Sequence, residues 1–264
     1  MALFTDENVS DVSDLIAYET NLPEVAAAEG VDLSAKLKLA HVEVGAQLQA
    51  ASTRPGSVYQ GQTGVWNSGG DANLSRFELD KVVVTPPLKL WHTFQTLAIV
   101  YRDLYNRKVN DKYLPKWNEY RELARWAADL LYQTGIGVTW HPLPRPQAPM
   151  LDWVSGAHST ATHFAAITWS DAAGEESAGS TEQAVSVPDA SALRVMHLTP
   201  PGAAKNWNVY LGPVSGELTR QNSLPLPLFT PWVLPPSGPV TGSPLGEGQK
   251  PQMFRTAPRF LQRG

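Results

Sequence analysis

Between residues 86 and 134, apolar and polar positions follow a helical period twice in succession. The first stretch carries its apolar residues at alternating spacings of four and three: Leu90, Phe94, Leu97, Tyr101 and Leu104. The second stretch repeats this alternation: Tyr113, Trp117, Tyr120, Ala124, Ala127 and Leu131. Thr85 is predicted as the N-cap, Pro86 occupies the first helical position and Gly135 marks the end. Because only a short polar turn separates the two stretches, we expect an antiparallel helical hairpin.

The residues before this hairpin are predicted to be helical with interruptions. A short helix is expected over Pro23–Glu29, and Ser34 is expected to cap a longer one that runs to about Ala51. Residues 54–75 contain many glycines and no clear period, which is uncommon inside a helical domain and is typical of functional or mobile loops. Val65 and Trp66 in this stretch are predicted to contact a neighbouring subunit, with a buried core Trp66 as the alternative.

The pattern changes after Gly137. Four prolines within His141–Pro149 predict a stiff linker over residues 141–150. Short alternating strands then follow: His163–Ser170, Ala184–Val187, Leu193–Leu198, Trp207–Leu211, Leu218–Gln221 and Phe229–Leu234. They predict a small β-sandwich of immunoglobulin or fibronectin type over residues 151–236. The predicted fold is therefore α+β and multidomain, with a helical bundle over residues 1–140 and an extended C-terminal arm over 237–264.

Composition narrows the class of protein. The chain has 264 residues, no cysteine and a formal net charge of −4, which excludes a disulfide scaffold and argues against a dedicated nucleic-acid binder. No apolar run is long enough to cross a membrane. Charge is unevenly placed, because residues 1–34 hold eight acids and no Lys or Arg. The C-terminal arm is basic and aromatic, and an acidic head with a basic tail suits contacts between subunits.

No group of residues has the spacing that catalysis or metal binding needs. His141, His158 and His163 lie on one part of the chain without a carboxylate at ligand spacing. His92 is interpreted as a hydrogen-bonded surface or subunit-contact histidine. The acids and bases of the two long helices have the spacing of ordinary surface ion pairs. We therefore expect no enzyme activity, no catalytic residue, no metal and no cofactor.

The aromatic residues of the hairpin are predicted to form its core and, where the core cannot hide them, a subunit interface. The hairpin residues assigned to this core and interface are Trp91, Phe94, Tyr101, Tyr113, Trp117 and Tyr120.

One series of positions runs through the hairpin and the residues on either side of it: Glu78–Leu88, Trp91-His92, Leu97-Ala98, Tyr101-Arg102-Asp103 and Tyr105, then Asn110–Tyr113, Lys116-Trp117, Tyr120, Leu123-Ala124, Trp126-Ala127 and Gly135–Gly137. On this series, most of residues 3–140 resembles the head-to-tail connectors of tailed bacteriophages, which are also called adaptor or head-completion proteins. Trp207–Gly212 with Gly216–Asn222 is similar to the fibronectin-like modules of phage structural proteins.

The resemblance implies a virion protein, assembled in the host cytoplasm, that forms a dodecameric ring beneath the portal protein. Such a ring extends the channel through which DNA passes without sequence-specific binding, and it joins the capsid to a neck or tail-completion protein. The resemblance also assigns portal binding to the C-terminal arm. The arm residues expected to bind are Lys250, Met253, Phe254, Arg255, Arg259, Phe260, Leu261 and Arg263.

A second interpretation stays open. The sandwich could be a carbohydrate- or surface-binding module of a phage tail or decoration protein that its helices merely oligomerise. This alternative predicts that Trp153, Trp169 or Trp232 is exposed in a shallow groove.

Overall fold

The protein combines N-terminal helices with a C-terminal region rich in β-sheet, and so has an α+β fold. The structure is a computed structural model, and it describes these residues: 2–7, 9–53, 78–108 and 111–255. Contacts divide the chain into two compact units. The helical unit comprises Glu7–Trp140 and the residues from Pro251 onward, and the sheet unit comprises the residues up to Asp6 and His141–Lys250.

Five helices are described in the helical unit: α1 (Val12–Tyr18), α2 (Leu22–Glu29), α3 (Leu33–Thr53), α4 (Pro86–Lys108) and α5 (Leu114–Thr134). α1 begins with a capping box between Asp11 and Asp14. The cap of α3 differs from the expectation. The carboxylate of Asp32 accepts the backbone N–H of Ser34 at 2.9 Å and that of Ala35 at 3.1 Å. Asp32 therefore starts this helix, and Ser34 lies inside it.

α4 begins at Pro86, as expected, but Thr85 does not cap it through its side chain. The Thr85 hydroxyl is buried and has no hydrogen-bond partner among the described residues. An N-cap hydroxyl normally accepts a hydrogen bond from the N–H of the second or third helical residue. The first two helical residues here are Pro86 and Pro87, so the second position has no N–H to donate. The Thr85 methyl group instead packs towards Gly137, where an added Cβ would lie 2.8 Å away.

α4 and α5 run antiparallel and pack through their aromatic side chains. Trp91 near the start of α4 meets Tyr132 near the end of α5, with ring centroids 6.0 Å apart. Tyr101 stacks on Tyr120 at 5.5 Å, and further along α4 Tyr105 stacks on Trp117 at 5.8 Å. The order of these contacts along α4 is the reverse of their order along α5. Aromatic packing of this kind adds to the stabilisation from buried apolar area.

The described residues of the sheet unit form eight strands: β2 (Met150–His158), β3 (Ala161–Ser170), β4 (Gln183–Val187), β5 (Ser191–Met196), β6 (Asn206–Gly212), β7 (Thr219–Arg220), β8 (Leu226–Pro227) and β9 (Trp232–Val233). One sheet has the order β2-β5-β9. The other has the order β4-β3-β6-β7, with β8 also paired to β6. All the neighbouring strands named in these two sheets pair antiparallel.

Both sheets contribute to one core. Ile167 and Trp169 of β3 and Trp207 and Val209 of β6 lie in the same buried cluster as Val195 of β5. Members of this cluster alternate along each strand, since successive side chains point to opposite faces. The opposite face of β3 and β6 is buried as well, in a smaller cluster of Ala166, Tyr210 and Leu218.

Two segments that the sequence predicts as a linker and an arm are packed instead. Leu143, within the proline-rich segment, is 1% exposed and belongs to the core of the sheet unit. Residues 237–250, which we call the covering segment, pair with the β7 region. Val240 N–H donates to Gln221 Oε1 at 2.8 Å, and Arg220 N–H donates to the Ser243 carbonyl at 2.9 Å. These hydrogen bonds pair backbone groups of the covering segment that would bind water in a free arm.

The chain returns to the helical unit after the covering segment. Strand β10 (Met253–Arg255) pairs antiparallel with β1 (Ile136–Val138), which directly follows α5. Arg255 lies opposite Ile136, and Phe254 lies opposite Gly137. The first residues of the predicted arm are therefore part of the helical unit's own structure.

Candidate functional site

The aromatic residues predicted at the hairpin interface are mostly internal. Trp91, Phe94, Tyr101, Tyr113 and Tyr120 are buried within the single chain, and Trp117 is half-buried. A buried side chain cannot contact a second subunit without rearrangement, so these five residues form core and offer no contact surface. The predicted core position of these five residues is therefore present, and the predicted subunit interface does not include them.

The Glu19 carboxylate is the centre of a polar cluster beside this core. Lys116 Nζ lies 2.9 Å from Glu19 Oε2, and Tyr120 Oη donates to the same oxygen at 2.9 Å. Burial opposes ionisation of Glu19, but the hydrogen bonds from Lys116, Tyr120 and Tyr101 outweigh it and lower its pKa. The hydrogen bond to Glu19 raises the pKa of Lys116 in turn. The Glu19 carboxylate accepts a hydrogen bond from each of these donors, and the cluster therefore connects the end of α1 to α5. None of its groups has a pKa shifted towards neutral pH, as a catalytic acid or base would need.

His92 is a second buried polar group. Its side chain is 0% exposed within the single chain, so the predicted surface or subunit-contact position is wrong, and only the predicted hydrogen bond is present. Its Nδ1 lies 2.7 Å from Ser10 Oγ, and its ring lies 6.0 Å from the ring of His41. Burial, with a smaller contribution from His41, lowers the pKa of His92 to about 4. The imidazole is therefore neutral at pH 7.

A polar cleft opens between α3, α4 and α5, with a volume of about 280 Å³. Its base is formed by Trp91 and by small side chains of α5, Ala124 and Ala128. Arg121 and Arg125 lie on its rim, where both pair with Glu122. The charges at the rim are thus already compensated by neighbours on the same helix, and such exposed pairs contribute little.

A more apolar cleft of about 210 Å³ lies in the sheet unit. Met196, His197, Trp207 and Phe229 line it. The His197 ring stands edge-on to Trp207 with centroids 5.1 Å apart, and its Nε2 lies 3.1 Å from the Leu228 carbonyl. Phe229 is 88% exposed. An aromatic wall with few polar groups suits a flat apolar or sugar face.

The tryptophans that the binding-module alternative names are placed differently from one another. Trp169 and Trp232 are buried in the core of the sheet unit. Trp153 of β2 is 53% exposed. Of the three tryptophans, any one of which the alternative expects to be exposed, Trp153 is exposed and the other two are not. Phe229 adds an exposed aromatic side chain at the apolar cleft.

The predicted portal-binding residues fall into two groups. Lys250 is exposed, Phe254 is 56% exposed, and Met253 and Arg255 are half-buried in β10. Arg259, Phe260, Leu261 and Arg263 lie outside the described residues, as do Val65 and Trp66. The structure thus places the beginning of the arm on the helical unit and leaves the remaining assignments as predictions.

The histidines weighed as metal ligands do not form a donor cluster. Within the described ranges, no group of three or more His, Asp or Glu side chains is close enough to hold a metal ion. His163 is buried in β3, and this burial, with a smaller effect from nearby His158, lowers its pKa.

Sequence reasoning missed two exposed aromatic positions as candidate contacts. Trp126 of α5 is 53% exposed although it belongs to a helix with an aromatic core, and Phe229 is more exposed still. Trp126 could have been found from the helical period, since it falls off the stripe that Tyr120, Ala124 and Ala127 define. Phe229 follows three leucines that alternate with two prolines over residues 224–228, a pattern that gives no burial signal.

Among the residues the structure describes, none of the helices has the length and apolar character that a bilayer crossing requires. No protein-family model matches the chain. A comparison with curated proteins likewise finds no match.

Proposed function

We propose that this protein is a non-enzymatic structural adaptor of the head-to-tail connector type. In this role it would form a ring, most simply a dodecamer, beneath a portal protein in a phage virion. The ring would extend the DNA exit channel and present a surface to a neck or tail-completion protein. The observation that carries the proposal is the α4–α5 pair, because four aromatic positions of the resemblance are buried between these helices: Trp91, Tyr101, Tyr113 and Tyr120.

The finer fold belongs to the same proposal. We assign the helical unit to a bundle organised around an α4–α5 hairpin. We compare the sheet unit with the two sheets of an immunoglobulin-type sandwich. In the first sheet, β2 and β5 take the places of strands B and E. In the second sheet, β4, β3, β6 and β7 take the places of C′, C, F and G. β9 then takes the position beside strand E that D occupies in that order. This strand order supports a fibronectin-like module.

The distribution of charge also supports a channel protein. Glu7, Asp11, Glu24 and Asp32 are exposed in a segment that holds no basic residue. A wall of this sign does not release counterions from DNA, so it favours passage of the duplex over binding. We assign this segment to the channel side of the ring.

The C-terminal residues are proposed to bind the portal. Met253–Arg255 pair with β1, and Lys250 and Phe254 are exposed. The proposal therefore assigns portal contact to Lys250, to Phe254 and to the residues beyond Arg255. Residues 256–264 carry two arginines, a phenylalanine and a leucine, which suit acidic and apolar pockets.

Native mass spectrometry with a purified candidate portal ring tests this function. The full chain should saturate the portal at a fixed stoichiometry near the portal's own copy number. A chain ending at Arg255 keeps β10 and should stay folded by circular dichroism but lose binding. A matched control carries Lys205→Ala, a basic residue of the sheet unit, and should bind normally. Absence of full-chain binding to any cognate portal ring would exclude the adaptor function.

The exposed Phe229 supports a second candidate function, recognition of a sugar or apolar surface by the sheet unit. Stacking of a ring on Phe229 beside Trp207 would use the cleft described above. Titration of a glycan panel against the full chain and against Phe229→Ala tests it. Binding that the substitution abolishes would favour this function, and absence of binding would exclude it.

A further inference from the structure

Helix α3 is apolar on two opposite sides. The side that packs towards α4 is buried and consists of Leu37, Ala40, Val44 and Leu48. The other side, which we call the α3 stripe, is exposed and has spacings of four, three and four residues: Ala35, Leu39, Val42 and Ala46. Val42 is 67% exposed. A helix that is apolar all round is normally covered on all sides. Exposure of the stripe in the single chain therefore indicates a contact with another molecule.

The charged residues of α3 lie beside the α3 stripe and not within it. At 100° per residue, Lys36 and Glu43 fall on one border and Lys38 falls on the other. Lys36 Nζ lies 2.9 Å from Asp103 Oδ2, and Gln95 Nε2 donates to Glu43 Oε2 at 2.6 Å. The stripe can therefore lose its water without burying a charge, as the centre of a protein interface requires.

A second apolar patch of the helical unit lies on α5. Leu123, Trp126 and Leu130 follow one another at spacings of three and four, so they share one side of the helix. Leu123 and Leu130 are half-buried, and Trp126 is 53% exposed. We call these three residues the α5 patch. An exposed tryptophan is a common anchor of protein contacts, because it buries a large area when it enters an apolar groove.

The charged neighbours of the α5 patch are already paired within the chain. Lys116 Nζ lies 2.9 Å from Glu19 Oε2 and 3.7 Å from Glu119 Oε2. Glu122 Oε1 lies 2.8 Å from a guanidinium nitrogen of Arg125. The attraction that the patch offers to a partner is therefore apolar.

The α3 stripe and the α5 patch face different sides of the helical unit. The stripe lies opposite the side of α3 that packs on α4. The patch lies opposite the side of α5 that lines the cleft with Arg121, Ala124 and Ala128. Gln47 of α3 lines the same cleft and does not belong to the stripe. One copy therefore cannot cover its own stripe with its own patch, and a contact between the two must join different copies.

We propose that the α3 stripe of one copy packs on the α5 patch of the next copy, with Trp126 beside Leu39 and Val42. The proposal rests on the ring of the proposed function and names the two faces that build it. Because the contact joins two different surfaces, every copy keeps one of each for its neighbours, and such head-to-tail contacts generate rings when their rotation closes.

The lengths of the two surfaces agree with this contact. At 1.5 Å per residue, the stripe is about 17 Å long from Ala35 to Ala46, and the patch is about 10 Å long from Leu123 to Leu130. The stripe can therefore hold the whole patch.

The absence of cysteine allows the contact to be trapped between two single-cysteine variants of the full chain. One chain carries Ala46→Cys in the stripe, and a size-tagged chain carries Glu122→Cys, one helical turn before Trp126. In the matched control, the tagged chain carries Arg121→Cys, which lies at the same level of α5 but lines the cleft. At high micromolar concentration, a short bis-maleimide should link the test pair at least tenfold faster than the control pair. Linking traps brief encounters, so the free protein needs no stable ring.

Two further variants test the anchor and the symmetry. Adding Trp126→Ala to the tagged chain should reduce linking to the control rate, whereas Trp140→Ala, which removes an equally exposed tryptophan of the same unit, should leave it unchanged. A chain that carries both Ala46→Cys and Glu122→Cys should form a ladder of linked oligomers, because a head-to-tail contact does not stop at the dimer. Circular dichroism at 222 nm confirms that each variant keeps its helices.

Equal linking rates in the test and control pairs would overturn the proposal, and so would preferential linking of two Ala46→Cys chains, which would place stripe against stripe. The portal is absent from this experiment, so the two proposals fail separately. Portal binding without linking of the test pair overturns the contact alone. Linking of the test pair without portal binding supports the contact and excludes the adaptor function.

Discussion

Acidification from pH 7 to pH 5 should destabilise the helical unit because His92 must accept a proton in a buried site. The side chain is 0% exposed, with Ser10 and His41 as its polar neighbours. Burial lowers its pKa from 6.5 to about 4. Between these two values the unfolded chain binds a proton that the folded chain does not, so stability falls as pH falls.

The size of the effect follows from the two pKa values. At pH 5 the unfolded histidine is almost fully protonated and the folded one is mostly neutral, which costs about 2 kcal/mol relative to pH 7. Burial lowers the pKa of His41 as well, so it adds a smaller loss in the same range. The carboxylates with lowered pKa, Asp11 and Glu19, lose their contribution only at lower pH.

Urea unfolding followed at 222 nm measures this change, since the described helices longer than one turn belong to the helical unit. Replacement of His92 by Gln removes the titrating group while keeping a side chain that can bond to Ser10. The wild-type protein should lose about 2 kcal/mol more than His92→Gln between pH 7 and pH 5. An equal loss in both proteins would refute the assignment of the effect to His92.

Three further substitutions test the packing. Gly135→Ala should lower the free energy of unfolding by more than about 1 kcal/mol in thermal unfolding. The reason is that φ of Gly135 is +100° and Phe254 is already close to the position of an added Cβ. Gly202→Ala is the control and should be nearly neutral, since no atom lies within 4 Å of its added Cβ. Tyr120→Phe should cost about 1–2 kcal/mol in urea unfolding through the lost bond to the Glu19 carboxylate, and an unchanged stability would contradict that role. Gln221→Ala removes two bonds to the covering segment and should increase its amide exchange at least tenfold, with little change in the helices.

The local elements were predicted where a strong period or a cap residue marks them. α4 begins and α5 ends close to the predicted residues because Pro86 fixes φ in the first turn of α4 and Gly135 adopts the positive φ that ends α5. The strands β3, β4, β5 and β6 were located within two residues at either end, since their alternation is regular.

The missed features depend on contacts between distant residues. β2 was not predicted because Ser155–Ala157 interrupt its apolar alternation, and the structure has a register shift there. β1 and β10 are three residues each, and their pairing joins segments more than a hundred residues apart. No local pattern encodes that pairing. The exposure of Phe229 likewise depends on which distant residues cover it.

The pairing of β10 with β1 affects the order in which the protein matures on the ribosome. Domains usually fold from the N-terminus as they emerge, but the last strand of the first unit is encoded after the second unit is complete. The β1 edge therefore stays unpaired until Met253–Arg255 have been synthesised. A chain cut short within the second unit would leave this edge of the first unit unpaired as well.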